Sequence, residues 1–320
     1  METHIVVSIV IVSWNAKDYL EECLSSLNRD VCNFPMEIIV VDNASSDGST
    51  HMVQDKFPHV KLIKNAENLG FAKANNIGIR ESTGNYIALV NSDVHVLSNC
   101  ISSLVDYCEL HPDIGMVGPR IIGRDGQQQR SCRGFPGLWN MLCRALALDN
   151  IFPKCKLFGS YFLSYWNHNS CTNVDILSGC FWLVRKKALD DVGLLDEMFF
   201  IYGEDMDWCK RFWAKGWPIA FYPDAEAVHY GGASSSNAPV RFFIEKQRAD
   251  LQYWEKHHSR LAVKCYFVIS CVHHGLRILG YLIVLCLGRE KARTSLYKMQ
   301  RALAGLKWMF TGRLKVPELL

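Results

Sequence analysis

Along the first 125 positions, hydrophobic residues come in short unbroken runs separated by polar turns. Ser8 to Trp14 reads SIVIVSW, Glu37 to Val41 reads EIIVV and Tyr86 to Val90 reads YIALV. Continuous, β-rich runs of this length predict strands buried on both faces. Between them the spacing turns helical. Tyr19, Cys23, Leu24 and Leu27 predict a helix over Asp18 to Leu27, and further helices are expected over Ser49 to Phe57 and Phe71 to Ser82, with a short strand over Val60 to Ile63. This β-α-β-α-β order predicts a parallel, right-handed, doubly wound sheet. A helix capped by Ser98 and running to Leu110, then a strand over Met116 to Ile122, complete this half.

Beyond it the pattern weakens. Residues 123–172 show scattered aromatics, many turn residues and no clear period, so they read as an irregular insert of the kind that forms substrate loops. Val174 to Val184 is apolar with Gly179 in its middle. Glu204 to Lys215 is helical, with Met206, Cys209 and Trp213 on one face and Gly216 as its stop. Pro218 to Tyr222 and Ala227 to Tyr230 read as two short strands. After Gly231 comes the loop GGASSSNAP and then a helical, basic, aromatic tail.

The 320 residues are 49% hydrophobic and 21% charged, which excludes wholesale disorder. The net charge of +3 is unevenly spread: from Lys256 to Lys315 basic residues face the single acid Glu290. That skew points to an anionic partner. Nucleic acid is not expected, because the basic residues alternate with aliphatics rather than sharing a polar face. The 13 cysteines include no CxxC pair, and METHIVVSIVIVSW has no basic start or cleavage site. A reducing cytosol follows, with cysteines as small core residues and no structural zinc site.

Chemistry concentrates where the runs end. The segments read VVDNASSDGS (40–49), ENLGFAKANNIGI (67–79), LVNSDV (89–94), YGEDMDW (202–208) and AVHYGG (227–232). In a parallel α/β sheet, residues after the strands line the crevice where ligands bind. Asp42 suits a hydrogen bond to a base or ribose hydroxyl, although Asp42 and Asp47 would equally start Asx-type turns. Asn91-Ser92-Asp93 offers a carboxylate for a divalent cation that shares its coordination sphere with phosphates, whereas His95 is read as packing. Glu204-Asp205-x-Asp207 opens a helix, where the macrodipole favours acids without any chemistry. Asp207 is expected to pair with Lys210 or Arg211. Glu204 and Asp205 follow the apolar FFIYG and suit a general base. His229, ahead of Gly231-Gly232, suits a metal ligand.

Taken in order, SIVIVSWN, VVDNASSDGS, ENLGFAKANNIGI, LVNSDV, GLLDEMFFIYGEDMDWCKR and HYGGASS resemble the successive motifs of family 2 inverting glycosyltransferases, in the rhamnosyltransferase-like branch. The resemblance spans roughly residues 5–240. It implies a GT-A fold: an α/β, Rossmann-like, nucleotide-binding mixed sheet flanked by helices. Residues 1–240 would form the catalytic domain, with a nucleotide-sugar half (about 1–122) and an acceptor half (about 123–240). Residues 241–320 would be a helical extension. By resemblance, Ser13, Trp14, Asn15 and Asp42 hold the nucleoside, and Asn68, Gly70, Phe71 and Asn75 lie along the nucleotide-sugar. Asn91 and Ser92 belong to a DxD-type motif whose first acid is Asn here, which leaves Asp93 as its metal ligand. His229 completes binding of a divalent metal (Mg²⁺ or Mn²⁺), Asp205 is the catalytic base and Glu204 stands beside it.

The implied reaction moves a sugar from dTDP-rhamnose or a UDP-sugar to a glycan or polyprenyl-linked saccharide, as in bacterial surface polysaccharide synthesis. A sugar nucleotidyltransferase would carry a glycine-rich basic loop after its first strand, which SWNAKDYLEE lacks. A non-catalytic nucleotide-sugar-binding scaffold fits the imperfect DxD but not the retained acids and His229. In the tail, Ile278 to Leu287 is the longest clean apolar run, about half of the roughly twenty residues a span needs. Lys264, His273, His274 and Arg277 interrupt the rest. It reads as an interfacial anchor, placing the protein peripherally on the cytoplasmic face of the cell membrane. The alternative is packing on the catalytic domain or on a second subunit, which would make a homodimer.

Overall fold

The computed structural model describes residues 6–30, 32–231, 239–287 and 292–311. The chain opens with β1 (Val7–Ser13), α1 (Lys17–Arg29), β2 (Met36–Asp42), α2 (Ser49–Lys56), β3 (Lys61–Lys64), α3 (Phe71–Arg80) and β4 (Tyr86–Asn91). β5 (Val94–Val96), α4 (Cys100–Leu110), β6 (Met116–Ile122), β7 (Cys132–Arg133), α5 (Leu138–Ala145) and α6 (Leu148–Ile151) follow. Next come β8 (Thr172–Asn173), β9 (Ile176–Leu177), β10 (Phe181–Arg185), α7 (Lys186–Val192), α8 (Glu204–Ala214) and β11 (Ile219–His229). The C-terminal helices are α9 (Pro239–His257), α10 (Arg260–Cys286) and α11 (Ala292–Thr311).

The main sheet has the order β3-β2-β1-β4-β10-β6-β11-β5. Its first four strands are parallel, as the alternating pattern predicts. Val7, Ile9, Val10, Ile11, Ile39, Val40 and Val41 are wholly enclosed, which is why those stretches read as unbroken apolar runs. The sheet as a whole is mixed. β10 enters antiparallel to β4, β6 is antiparallel to β10, β11 is parallel to β6, and β5 returns antiparallel to β11.

Two local expectations are corrected, and one apolar run gains its structure. The two strands expected over 218–230 are one strand, β11, with a register shift between Tyr222 and Glu226 against the continuous partner β6. The turn residues Pro223 and Asp224 sit within that bulge and do not end the strand. The apolar run 174–184 is two strands, because Ser178 turns its N–H to Ser131 O (2.7 Å) at the break. Ser98 does not cap α4. The N-cap is Asn99, with φ +61, and the Asp30 carboxylate at the end of α1 accepts from Asn99 N at 2.7 Å. Burial raises the Asp30 pKa, although the Asn99 and Ile101 N–H groups act to lower it.

The described residues fall into two compact units. One holds residues up to Phe135 and from Asn167 to Gly231. The other joins Pro136–Trp166 to the helices from Pro239 onward. Within the second unit, Trp254 of α9 stacks on Tyr266 of α10 with centroids 4.6 Å apart. α10 is one helix of 27 residues, long and apolar enough by length and composition to cross a membrane, and only 11% of its most apolar stretch is buried. The interrupting charges do not break it. Leu261, Val268, Val272, Leu276, Leu279 and Ile283 are all exposed and fall within about a quarter of the helical wheel, while Lys264, His273, His274 and Arg277 lie on other faces.

All 13 cysteines are free thiols, most of them buried. Burial above all, and the nearby Asp93 carboxylate as well, push the Cys180 thiol up to about 12. Protonated thiols of this kind are packing residues.

Candidate active site

The parallel ladders set the ends of three strands side by side: Ser13 is level with Asp42, and Val12 with both Val41 and Asn91. Ser13 and Asp42 are 1% and 3% exposed. Asp42 Oδ2 accepts from Ser45 N at 3.0 Å, the turn-forming bond its position suggests. Its Oδ1 and the neighbouring Ser13 Oγ are buried and make no hydrogen bond among the described residues. Each such group costs about 1–3 kcal/mol, more when charged. This cost is tolerated where a ligand's donor completes the set.

The other polar residues of this edge build loops. Asn15, in a left-handed conformation with φ +48, accepts from Ser46 N at 2.8 Å, and its own N donates to Ser45 Oγ at 3.0 Å. It therefore ties the end of β1 to the turn after β2, next to the half-buried Trp14. Asp47 is structural: its Oδ2 accepts from Lys17 N at 2.8 Å and its Oδ1 from Ser49 N at 3.0 Å. These hydrogen bonds outweigh desolvation and lower its pKa.

The segment 65–71 is organised by Asn43, which the sequence did not single out. Asn43 donates to Asn68 Oδ1 (3.2 Å) and Gly70 O (3.0 Å), and accepts from Asn65 Nδ2 (2.9 Å). Asn68 in turn accepts from Gly70 N at 3.0 Å. Gly70 has φ +82, and a Cβ there would lie 2.4 Å from Phe200 O, so a side chain is excluded twice over. The same Phe200 carbonyl accepts from Phe71 N at 2.6 Å, which locks this segment to the loop that leads into α8. Asn75 donates to Phe71 O, 2.9 Å away and one turn back. Asn76, also unpredicted, clamps the same loop through Leu195 O (2.9 Å), Leu195 N (3.1 Å) and Glu197 Oε1 (2.9 Å).

At the far edge, pairing of β5 with β11 sets Val94 opposite His229. Tyr230 N donates to Asp93 O at 2.9 Å, and His229 Nε2 lies 3.3 Å from Asp93 Oδ1. Ser92 and Asp93 are buried. Gln129 supports the histidine from behind, with Oε1 2.9 Å from Nδ1 and Nε2 2.7 Å from His229 O. His95 instead faces Glu22 of α1 at 3.3 Å. Among the described residues no group of three or more His, Cys, Asp or Glu converges as a metal cage. One carboxylate and one imidazole do converge, which fits a cation that takes its other ligands from phosphate and water.

The third component is the start of α8. Tyr202 (φ +66) and Gly203 (φ +81) make a left-handed turn that presents Glu204 and Asp205. Glu204 is buried, and a Cβ placed on Gly179 would come 3.8 Å from its Oε1. The next residue, Cys180, accepts from Asn91 N at 2.9 Å, so this acid stands beside the end of β4. Asp205 is held by Arg133 of β7, whose Nη2 donates to Oδ2, while Met206 N donates to Oδ1 at 2.8 Å. Both side chains are mostly buried, at 15% and 13% exposure. Asp207, fully enclosed, pairs with Arg211 at 2.9 Å, one of its two expected partners. Sequence reasoning missed Gln129 and Arg133. They lie in the unperiodic GQQQRSCRGFP, and their type alone carried no signal.

The model of the glycosyl transferase family 2 matches residues 8–193. The N-acetylglucosaminyl-diphospho-decaprenol L-rhamnosyltransferase of Mycobacterium tuberculosis is 28% identical over 265 residues, covering 79% of this chain and 85% of that protein. The dTDP-rhamnosyl transferase RfbF of Shigella flexneri is 27% identical, covering 84% of this chain and 87% of its own length. Rhamnosyltransferase WbbL of Escherichia coli is 27% identical over 70% of this chain and 83% of itself. Among solved structures, the mannosyltransferase PcManGT from Pyrobaculum calidifontis, in complex with GDP-Man and Mn²⁺, superposes with a TM-score of 0.56 at 15% identity, covering 96% of this chain and 87% of that one. That likeness concerns the fold, a GT-A sheet flanked by helices and followed by C-terminal helices. With its strand-end acids in place and more than half its length matched, the chain belongs to glycosyl transferase family 2.

Proposed function

We propose that the protein is an inverting rhamnosyltransferase. It would move rhamnose from dTDP-rhamnose, with a UDP-sugar as the second candidate donor, to a polyprenyl-linked or other glycan acceptor. The observation that carries this reading is the placement of three groups around the carboxyl ends of β1, β2 and β4. These are Ser13 Oγ and Asp42 Oδ1, which make no hydrogen bond among the described residues, the Asp93–His229 pair, and Asp205 with Arg133. Similarity to three rhamnosyltransferases supports the choice of sugar. Family membership weighs against both a nucleotidyltransferase and a bare scaffold.

Each group has a distinct task. Asp42 Oδ1 and Ser13 Oγ take hydrogen bonds from and to the nucleoside, removing the cost of their burial. Asp93 and His229 Nε2 would hold a divalent cation. Bound there, the metal supplies charge neutralisation to the diphosphate and to the departing nucleoside diphosphate. Asp205 accepts the proton of the acceptor hydroxyl on a carboxylate lone pair that neither Arg133 nor Met206 N occupies. The acceptor oxygen bonds to the anomeric carbon as the bond to the diphosphate oxygen breaks, and the electron pair leaves with that diphosphate. One displacement from the opposite face inverts the configuration, and no covalent intermediate forms on the protein. Arg133 fixes the base in place through its planar fork.

The exposed apolar stripe of α10 and the basic residues around it suit the surface of an anionic membrane, where a polyprenyl-linked acceptor resides. Removal of residues after about 255 is expected to release the protein from membranes, and unchanged partitioning would refute this part. The reaction itself is tested by screening nucleotide-sugars with Mg²⁺, Mn²⁺ or EDTA for release of nucleoside diphosphate, followed by NMR of the anomeric proton of the product. Metal-dependent release from dTDP-rhamnose with inversion is expected. Retention of configuration would rule the mechanism out.

A further inference from the structure

The strongest unassigned feature is Gln129, which grips the backbone and the ring of His229 at once. The hydrogen-bond chemistry of this contact is closed. The His229 carbonyl oxygen can only accept, so the Gln129 group 2.7 Å from it must be the NH₂. The amide oxygen is thereby the atom placed 2.9 Å from His229 Nδ1. An amide oxygen also only accepts, so Nδ1 must carry the proton. A neutral imidazole with its proton on Nδ1 has its lone pair on Nε2, and Nε2 is the nitrogen that faces Asp93 Oδ1 at 3.3 Å. A flipped amide would set NH₂ against Nδ1 and oxygen against oxygen, losing one hydrogen bond and adding a repulsion.

We infer that Gln129 is a positioning residue that sets the His229 tautomer and so makes the Asp93–His229 pair a cation site rather than a closed hydrogen bond. This rests on the metal reading above and adds its cause. Without Gln129, the neutral ring gains more by moving its proton to Nε2 and donating to Asp93. The nitrogen needed by a cation would then be blocked and the carboxylate engaged. Outer partners that orient a ligating histidine typically change metal affinity by about 10–100-fold.

The backbone supports the same role. Gln129 N donates to Ile121 O at 2.8 Å, and Gly123 N donates to Gln127 O at 2.8 Å. The loop after β6 is thus a tight return that carries Gln129 to the end of β11, across 100 residues of sequence.

The test uses the full chain, with Gln129→Met, Gln129→Glu and His229→Ala, each checked for an unchanged melting temperature. Ring ¹⁵N spectra of the metal-free protein at mildly alkaline pH, with the His229 signal identified by its loss in His229→Ala, report the tautomer. Nδ1–H in the wild type, Nε2–H in Gln129→Met and a return to Nδ1–H in Gln129→Glu are expected. An unmoved tautomer in Gln129→Met overturns the inference. Titration with Mn²⁺ alone, followed by EPR, reads the affinity. Gln129→Met should weaken it by about 10–100-fold, with no further loss when added to His229→Ala. Equal weakening in the His229→Ala background would show that Gln129 does not act through His229. If wild type and His229→Ala bind Mn²⁺ alike, the metal reading fails. The tautomer spectra then decide the positioning role by themselves.

Discussion

At the β1–β2 end of the site, Ser13 Oγ and Asp42 Oδ1 are buried and make no hydrogen bond among the described residues, whereas at the β5–β11 end and at α8 the acids are already engaged. Asp93 faces His229, and Asp205 faces Arg133. The first end is incomplete by itself and would be finished by a ligand's donors. The second is pre-organised by residues behind it, Gln129 and Arg133, which hold its groups in one geometry. The difference separates the tasks: affinity should reside at the first end and rate at the second.

The largest expected effect at the second end, short of removing the base, comes from the cation pair. Asp93→Ala, or EDTA with the intact protein, should lower sugar transfer by about a thousandfold or more, since metal stabilisation of the leaving group is worth several kcal/mol. Steady-state kinetics at saturating donor checks this, and transfer that persists in EDTA would remove the metal from the account. Arg133→Ala should lower kcat by about 10–100-fold through misplacement of Asp205, with little change in donor affinity. A loss confined to KM would instead assign Arg133 to binding.

At the first end the signature reverses. Asp42→Ala should weaken donor binding by about 10–100-fold, the worth of a charged hydrogen bond, and leave kcat at saturation nearly unchanged. Calorimetry with the donor nucleotide measures it. In the ligand-free protein Asp42→Asn should raise stability, because a buried carboxylate oxygen that bonds no described residue is replaced by part of a neutral amide, and a fall in melting temperature would contradict the unsatisfied site. The smallest effect is expected at Asp47, a structural acid. Its pKa is lowered in the fold from 3.8, so its contribution is complete above about pH 4 and is lost as pH falls through the lowered value. Urea denaturation of Asp47→Asn and wild type should therefore differ at neutral pH and converge in acid.

The two ends also differ in how far they could be read from sequence. Asp42 and Asp93 stand out because each follows an apolar run: Asp42 is the last residue of β2, and Asp93 lies in the turn just after β4. The parallel half of the fold is legible for the same reason. Asn15, Asn68 and Asn75 have legible positions, but their partners, backbone groups and, for Asn68, also the Asn43 side chain, are not revealed by residue type alone. Gln129 and Arg133 are harder still. They sit in an unperiodic segment, and their partners are 100 and 72 residues away. In the tail, counting uninterrupted apolar residues understates α10, because its charged residues fall away from the exposed stripe. A 3.6-residue wheel shows that stripe where a run length does not.

The central claim, that Asp205 is the base of a single displacement, is tested most directly by comparing wild type with Asp205→Asn. Sugar transfer and donor binding would be measured on the same preparations. The amide is close in shape to the carboxylate but cannot take the proton. Transfer should fall by about 10²–10⁴-fold, while calorimetry shows the donor bound within about twofold of wild type. Near-wild-type turnover in Asp205→Asn would contradict the account and move the base elsewhere on this edge.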